Sequence, residues 1–461
     1  MKKDFKDKKC LVYGTGISGK AAASLLLECG AEVFLYDENE KLDKEALIKG
    51  FENGERLTVV KGALLKDIRD KIELVVLSPG VPVDNPNVVS LREAGAEIIG
   101  EIELAARTSR GTILAITGTN GKTTTTTLLG EIMKDYAGSL PEKRDVLVVG
   151  NIGEPYTAHA LSTGEGTIAV AEISSFQLET AVSFKPHISA ILNITPDHLN
   201  RHHTMENYAA MKKRIGENQD GNDFMILNHD DPLCREAASG IKARIVWFTR
   251  DIKDLRWGDE SDVVYLKDGA IFFNERRIVG TDEINLLGSH NHENIMAAVG
   301  MAVSFGVPDP VIRETVRNFK AVEHRIEYVR TVDGADYYND SKGTNPDASI
   351  KAVEAMVKPT ILIAGGYDKK SSYDELIDAF PGKVKLMVLL GETAEKIKEC
   401  ALSHGFKEII MAEDLEEAVK ICHENALQGD AVLLSPACAS WGMFKNYEER
   451  GKLFKEYVNS L

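Results

Sequence analysis

The apolar run Ile113-Leu114-Ala115-Ile116-Thr117 is followed at once by Gly118-Thr119-Asn120-Gly121-Lys122-Thr123-Thr124. Such a run reads as a buried strand, and the threonine-rich stretch after Lys122 reads as the start of a helix. Glycines between the two let backbone N–H groups turn inward on phosphate oxygens, and the helix N-terminus adds partial positive charge. Lys122 has the reach for β- and γ-phosphates, and the Thr123 hydroxyl can ligate Mg²⁺. The usual phosphate loop has a glycine five residues before its second Gly. That position is Ile116 here, so the spacing is that of a shorter variant. The alternative is a glycine turn with an incidental lysine. The order of strand, Gly-Lys-Thr and helix favours an ATP grip.

A second glycine turn, Gly14-Thr15-Gly16-Ile17-Ser18-Gly19, fits G-x-G-x-x-G, and Asp37 follows at the spacing of a ribose-binding acid. The motif specifies close backbone approach to a pyrophosphate. NAD, another diphosphate such as a UDP-linked substrate, and tight strand–helix packing without ligand all satisfy it. Glu172 and His198 each stand where a strand candidate runs out, at Thr167–Ala171 and after Ile188–Leu192. Ligands of open parallel sheets bind beyond the carboxyl ends of strands, so both side chains are candidates to meet a γ-phosphate, Glu172 as an oxygen ligand for Mg²⁺. Lys212 and Lys213 fall in a helical stretch, and composition alone reads them as a solvated basic face.

These residues need strands and helices to carry them. Lys9–Tyr13, Glu32–Tyr36, Leu74–Leu77, Thr112–Thr117, Thr360–Ala364, Lys385–Leu390 and Ala431–Leu434 read as strands, with helices at Lys20–Glu28 and Glu101–Arg107. Strands alternating with helices imply an α/β fold with parallel sheets. The 461 residues suggest about three domains. Boundaries are expected near 100 and 321, giving 1–100, 101–321 and 322–461. The polar region from Thr249 to Asp282 reads as an irregular surface insertion. Net charge is −16 with no long Lys/Arg block, which argues against a nucleic-acid partner. The six cysteines are scattered singly, as expected of a reducing compartment. The basic Met1-Lys2-Lys3 leads into an apolar stretch too short for a signal peptide, and no segment is long enough for a membrane span. A cytoplasmic, monomeric enzyme without membrane contact is expected.

With these motifs in view, the chain resembles the Mur ligases of bacterial cell-wall synthesis over essentially its full length. The likeness is carried by Ile116–Thr123, Gly150-Asn151-Ile152-Gly153, Glu172–Glu179, Asn193–His198, His290-Asn291, His324-Arg325, Asn339–Asn345 and Ser435–Ser440. The first of these are shared across the superfamily, folylpolyglutamate synthases included. Ser435–Ser440, continuing through Lys445–Gly451, is similar to the D-glutamate-adding member.

The resemblance implies three domains: an N-terminal Rossmann-like one, a central P-loop-type ATPase sheet and a C-terminal Rossmann-like one. It implies an ATP- and Mg²⁺-dependent amide ligase, with UDP-N-acetylmuramoyl-L-alanine and D-glutamate as small-molecule substrates. It decides the first glycine turn in favour of UDP, with Gly14, Ser18, Asp37, Ser78, Gly80, Asn151 and Gln177 lining that site. It implies ATP contacts from Gly118–Thr124, Asn291, Asn294, His324, Arg325, Asp340 and Lys342. Thr344, Lys369 (or its neighbour Lys370), Ser440 and Tyr447 are implied for D-glutamate. The catalytic set is Lys122, His198 and Lys212, and the metal set is Thr123, Glu172, His198 and a carbamylated Lys212, with Lys213 adjacent as the other candidate. A dehydrogenase reading would leave Gly118–Thr123 idle, and a nucleotide-gated binding protein would not need Glu172, His198 and Lys342.

Overall fold

Apolar runs of four to six residues that bury both faces are what a parallel sheet covered by helices requires, and the chain uses them three times. The structure, a computed structural model, describes residues 4–252 and 262–461. Met1-Lys2-Lys3 and part of the 249–282 region therefore lie outside the described residues.

The first sheet holds β1 (Lys9–Tyr13), β2 (Glu32–Asp37), β3 (Leu57–Lys61), β4 (Leu74–Leu77) and β5 (Glu97–Gly100), all parallel in the order β3-β2-β1-β4-β5. The second holds β6 (Thr112–Thr117), β7 (Val146–Gly150), β8 (Ile168–Glu172), β9 (Ile188–Ile191), β10 (Phe224–Asn228), β11 (Arg244–Thr249), β12 (Asp262–Lys267), β13 (Ala270–Phe273) and β14 (Arg276–Gly280). Their order is β14-β13-β12-β11-β10-β9-β6-β8-β7, parallel except for the antiparallel edge formed by β12, β13 and β14. The third holds β15 (Glu327–Val332), β16 (Ala335–Asn339), β17 (Thr360–Ala364), β18 (Val384–Leu389), β19 (Ile409–Met411) and β20 (Ala431–Leu434), in the order β15-β16-β20-β17-β18-β19. Only the β15–β16 pairing in it is antiparallel.

Each sheet has a strand flanked by two others whose following loops share one end. β1 lies between β2 and β4, β6 between β8 and β9, and β20 between β16 and β17. Those carboxyl ends are where open α/β sheets place their ligands. The α/β architecture expected from the sequence is observed, built on three sheets.

The described chain divides into two compact units, Met1–Gly280 with Glu293–Val316, and Thr281–His292 with Arg317–Leu461. In the first, one buried cluster runs from Leu26 and Val76 through Ile102, Leu104 and Tyr156 to Ala171, Ile191 and Met225, so two sheets share a core. In the second, separate clusters cover the two faces of the third sheet. No helix among the described residues is long and apolar enough to cross a membrane.

One expectation fails. The 249–282 region is no irregular insertion where it is described: β12, β13 and β14 extend the second sheet and bury Val263, Val264, Ile271, Ile278 and Val279. Charged residues at the strand ends, Asp262, Lys267, Arg276 and Arg277, hid these short apolar runs.

The helix Glu101–Thr108 connects the first two sheets and carries two buried carboxylates. Glu101 accepts from the Thr157 N–H and hydroxyl, both at 2.7 Å. Glu103, fully buried, accepts from the N–H groups of Val182, Ser183 and Phe184, from the Ser183 hydroxyl and from Arg107. Burial works to raise the Glu103 pKa, but these donors outweigh it and hold the carboxyl below its usual range. The folded pKa is the depressed one, so the stabilisation is present above the unfolded value and is lost as pH falls through the folded value. Glu103→Ala strands several buried donors and should lower unfolding free energy by about 3 kcal/mol. Urea denaturation at neutral pH measures this, and the difference from wild type should shrink in acid.

Candidate active site

The loop after β6 is zipped to the loop after β9. The Thr119 N–H donates to the Asn193 carbonyl at 2.9 Å, and the Asn120 N–H donates to Asn193 Oδ1 at 2.8 Å. Asn193 Nδ2 returns a bond to the Asn120 carbonyl at 3.2 Å. Thr119 Oγ1 donates to the Thr195 carbonyl and accepts the Thr195 N–H, each at 3.0 Å. Gly121 caps the 18-residue helix Lys122–Ser139 in the left-handed region, at φ +83°, with no side chain bonded to the helix end. A Cβ there would lie 2.1 Å from Asn294 Oδ1, so the position admits only glycine. This places Asn294, one of the expected ATP residues, against the loop.

Lys122 Nζ curls back to donate to the Gly118 and Thr119 carbonyls, both at 2.8 Å. Lys212 Nζ donates to the same Gly118 carbonyl at 2.8 Å and lies 4.5 Å from the Tyr208 ring centroid. Reading Lys212 as part of a solvated face is therefore wrong: it is 1% exposed. Burial, reinforced by the nearby Lys122 charge, pulls its pKa well below the usual lysine value. Lys213 is only half-buried and donates to the Ser239 carbonyl. Their helix, Met205–Lys213, turns one lysine in and the other out, a distinction that a Lys-Lys pair does not announce.

Glu172 ends β8 and is also 1% exposed. Its Oε1 accepts from Asn151 Nδ2 at 2.8 Å, whereas Oε2 is buried with no hydrogen-bond donor. An unsatisfied buried carboxylate oxygen is costly unless a cation meets it. His198 follows β9 with φ +53°, its ring edge-on to Phe176 at 4.8 Å and 3.5 Å from Asp197 Oδ2.

At the first sheet, the Gly14–Gly19 turn is equally tight. A Cβ on Gly14, at φ +105°, would lie 2.6 Å from Ser78 Oγ, and one on Gly19 would lie 1.8 Å from the Gly14 carbonyl oxygen. Asp37 closes the turn, accepting from the Thr15 N–H at 3.1 Å, the Thr15 hydroxyl at 2.8 Å and the Asn39 N–H at 3.0 Å. Ser78 Oγ is buried without a partner. Ser78, Gly100, Phe176, Gln177 and Glu179 line one small pocket, which brings Gln177 to the first-sheet residues. Gln177 is oriented by a capping box with Ser174. Ser18 is half-buried in the first turn of the helix Ile17–Glu28, and Gly80 is exposed with open space around it. The sequence reading missed Glu38, whose Oε1 accepts from Tyr13 OH at 2.5 Å, Asn87 Nδ2 at 2.9 Å and Asn85 Nδ2 at 3.2 Å. Its only signal was adjacency to Asp37.

In the second unit, Asp340 follows β16 and is buried. Burial raises its pKa to about 6 against the opposing pull of Arg325 and of the Ser435 hydroxyl, which donates at 2.7 Å. His324, at φ +66°, pairs its Nδ1 with Asn339 Nδ2 at 2.9 Å. Burial lowers its pKa, so it is neutral at pH 7. Lys342 Nζ lies 5.1 Å from the Tyr447 ring centroid, and His324 meets the same ring at 6.1 Å. Asn291 is buried and donates to the Leu287 carbonyl at 2.6 Å. Thr344 donates its N–H to the Lys342 carbonyl at 2.9 Å, and the buried Ser440 accepts the Phe444 N–H at 3.0 Å. Lys369 is half-buried, whereas Lys370 is exposed with φ +62°. Arg450, also missed, is buried and donates to Ser341 Oγ and to the Ser341 and Cys438 carbonyls.

The chain matches the Mur ligase MurD-like N-terminal domain family over residues 8–100, the Mur ligase middle domain over 116–302 and the Mur ligase glutamate ligase domain over 324–438. It is 51% identical to the UDP-N-acetylmuramoylalanine--D-glutamate ligase of Lachnospira eligens, covering 99% of this chain and 100% of that protein. To the enzyme of the same name from Thermoanaerobacter pseudethanolicus it is 48% identical, covering 99% of both. Among solved structures it is similar in fold to a pseudomurein peptide ligase type C from Methanothermus fervidus, with a TM-score of 0.60, 19% identity and coverage of 98% and 99%. It is also similar to UDP-N-acetylmuramate-alanine ligase from Thermotoga maritima, with a TM-score of 0.59, 19% identity and the same coverage.

The loop geometry yields a matched pair of variants in one helix. Gly121→Ala forces a left-handed alanine into Asn294 and should lower unfolding free energy by about 1–2 kcal/mol or more. Gly138→Ala, with nothing within 4 Å of its Cβ, should raise it by about 0.5–1 kcal/mol. Denaturation curves of the two variants check both signs.

Proposed function

The chain belongs to the Mur ligase family, and on that premise we propose that it uses ATP to join D-glutamate to UDP-N-acetylmuramoyl-L-alanine in peptidoglycan precursor synthesis, releasing ADP and phosphate. The activity is the one named for its full-length relatives. The observation that carries the site assignment is the buried Lys212 amine beside the phosphate loop, with the unsatisfied Glu172 oxygen on the neighbouring strand. The proposed enzyme is a cytoplasmic monomer acting on small molecules, with domains at 1–100, 101–321 and 322–461.

A carboxylate is a poor electrophile, so the L-alanyl carboxylate must be activated before an amine can displace an oxygen from it. Transfer of the ATP γ-phosphoryl group makes the acyl phosphate, and the D-glutamate amine then attacks the carbonyl carbon and expels phosphate. The N–H groups at the start of the helix Lys122–Ser139 and the Lys122 ammonium hold the phosphates, so catalysis rests on positioning and electrostatics. The residues fit a Mg²⁺ requirement: Glu172 Oε2, the Thr123 hydroxyl, His198 and a modified Lys212 would hold the ions, which neutralise charge on the transferring group. Lys212 is suited to modification because its lowered pKa favours the unprotonated amine, the form that can attack CO₂. The new N–C bond releases a proton and leaves a carbamate with carboxylate-like oxygens.

Gly14, Ser18, Asp37, Ser78, Gly80, Asn151 and Gln177 are assigned to the UDP-sugar, supported by the tight turn and by the unpartnered Ser78 hydroxyl. Asn291, Asn294, His324, Arg325, Asp340 and Lys342 are assigned to ATP, and Thr344, Lys369, Ser440 and Tyr447 to D-glutamate. Bringing amine and acyl phosphate together is worth up to roughly 7–11 kcal/mol in ideal geometry.

Phosphate release with ATP, Mg²⁺, UDP-N-acetylmuramoyl-L-alanine and D-glutamate tests the proposal. Turnover should require D-glutamate, and turnover that ignores it would sink the specific reading. Lys122→Ala should abolish activity while the chain still folds. Lys212→Ala should lose activity and regain part of it with added short carboxylic acids; an unaffected variant would refute the carbamate.

A further inference from the structure

Away from every residue assigned above, the second unit gathers a thiol, an imidazole and two carboxylates. Cys400 and His404 stand one turn apart at the carboxyl end of the helix Ala394–Ser403, and Asp374 and Asp378 bound the helix Asp374–Asp378. His404 Nε2 lies 3.0 Å from Asp374 Oδ1, and Cys400 Sγ lies 3.8 Å from the same oxygen. One ligand atom each from Asp374, Cys400 and His404 falls within 4.8 Å of the others. We propose that Asp374, Cys400 and His404 form a three-ligand site for a borderline-soft divalent cation, Zn²⁺ above all, with Asp378 as the outer carboxylate.

The geometry supports this in three ways. Tetrahedral zinc, with bonds of about 2.0–2.3 Å, holds its ligand atoms roughly 3.3–3.6 Å apart, a span bracketed by the 3.0 Å from His404 and 3.8 Å from Cys400 to Asp374 Oδ1. The other imidazole nitrogen, Nδ1, meets Asp378 Oδ1 at 2.9 Å. That is the arrangement by which a carboxylate fixes the tautomer of a zinc-bound histidine and leaves Nε2 for the metal. Ser372 donates its hydroxyl to Asp374 Oδ2, which leaves Oδ1 turned to the histidine. The carbonyl end of the longer helix also favours positive charge. A thiolate–imidazole pair selects zinc or cobalt over magnesium, which prefers oxygen donors, so this site would be chemically separate from the Mg²⁺ chemistry at Glu172. The fourth position is left to water, and both helices would be tied together through the ion.

The test uses the untagged full chain, stripped with chelator and held in excess Mg²⁺. Addition of Co²⁺ should produce a thiolate-to-cobalt charge-transfer band saturating at one equivalent, and Zn²⁺ should erase it. The other five cysteines are buried, so Cys400→Ser should remove the band. Asp378→Asn should weaken binding about 10–100-fold while keeping the band at high Co²⁺. Absence of a thiolate band, or a band unchanged in Cys400→Ser, overturns the proposal and leaves His404 as an imidazole clamped between two carboxylates. All four side chains are at or near the surface, so circular dichroism of each variant should match wild type and keep the test interpretable.

Discussion

Two lysine amines share one carbonyl, that of Gly118, and the shape of the loop after β6 depends on that arrangement. Two full positive charges on one buried oxygen would repel at close range in a poorly screened setting. Lys122 is half-buried and Lys212 fully buried, so the cost falls on Lys212, whose pKa is driven well below the usual lysine value. The same contact fixes the loop backbone. With the Gly118 carbonyl held from outside and the Thr119 and Asn120 N–H groups bound to Asn193, the loop backbone is fixed where it enters the helix Lys122–Ser139.

The loop could not hold this shape on its own. Its partners arrive from β9, from the helix Met205–Lys213 and from Asn294, separated from it by up to about 170 residues of chain. They meet because β6 lies between β8 and β9, so that three successive carboxyl ends open on one edge. The buried carboxylates Glu101 and Glu103 serve the same end one layer back. Each would be a liability in an apolar core. Each instead collects N–H groups from turns that no regular element satisfies, fixing the turn 182–184 and the segment around Thr157 against the connecting helix. In these two carboxylates, charge is buried where loose backbone needs an acceptor.

How much of this could be read from sequence follows from the range of the interactions. The strands β1, β4, β17 and β20 coincide with their apolar runs, because burial on both faces leaves no polar residue to break the pattern. The Gly-Lys-Thr loop was readable because its chemistry lies within seven residues. β12 to β14 were not, since their apolar runs are short and are broken up by charged and turn residues at the strand ends. Which lysine of Lys212-Lys213 points inward depends on helix phase relative to a distant strand. Glu103 and Arg450 sit on helices whose local pattern reads as ordinary surface charge, and only the packed structure shows that they are buried.

Arg450 shows what the family-specific segment does physically. Its guanidinium spans Ser341, after β16, and the Cys438 carbonyl, after β20. Burial lowers its pKa only to about 10, so it stays charged at neutral pH. A buried planar cation with donors fixed in one fork sets the spacing of the two loops it bridges. A lysine, with one flexible ammonium, would not set that spacing. Tyr447 begins the same helix and presents its ring to Lys342 and His324, while its carbonyl accepts the Ser341 hydroxyl. The motif from Ser435 to Gly451 therefore acts less as a list of ligands than as a brace. It holds the loops after β16 and β20 in one register, and Gly451 is glycine because a Cβ there would lie 2.2 Å from His324 Nδ1.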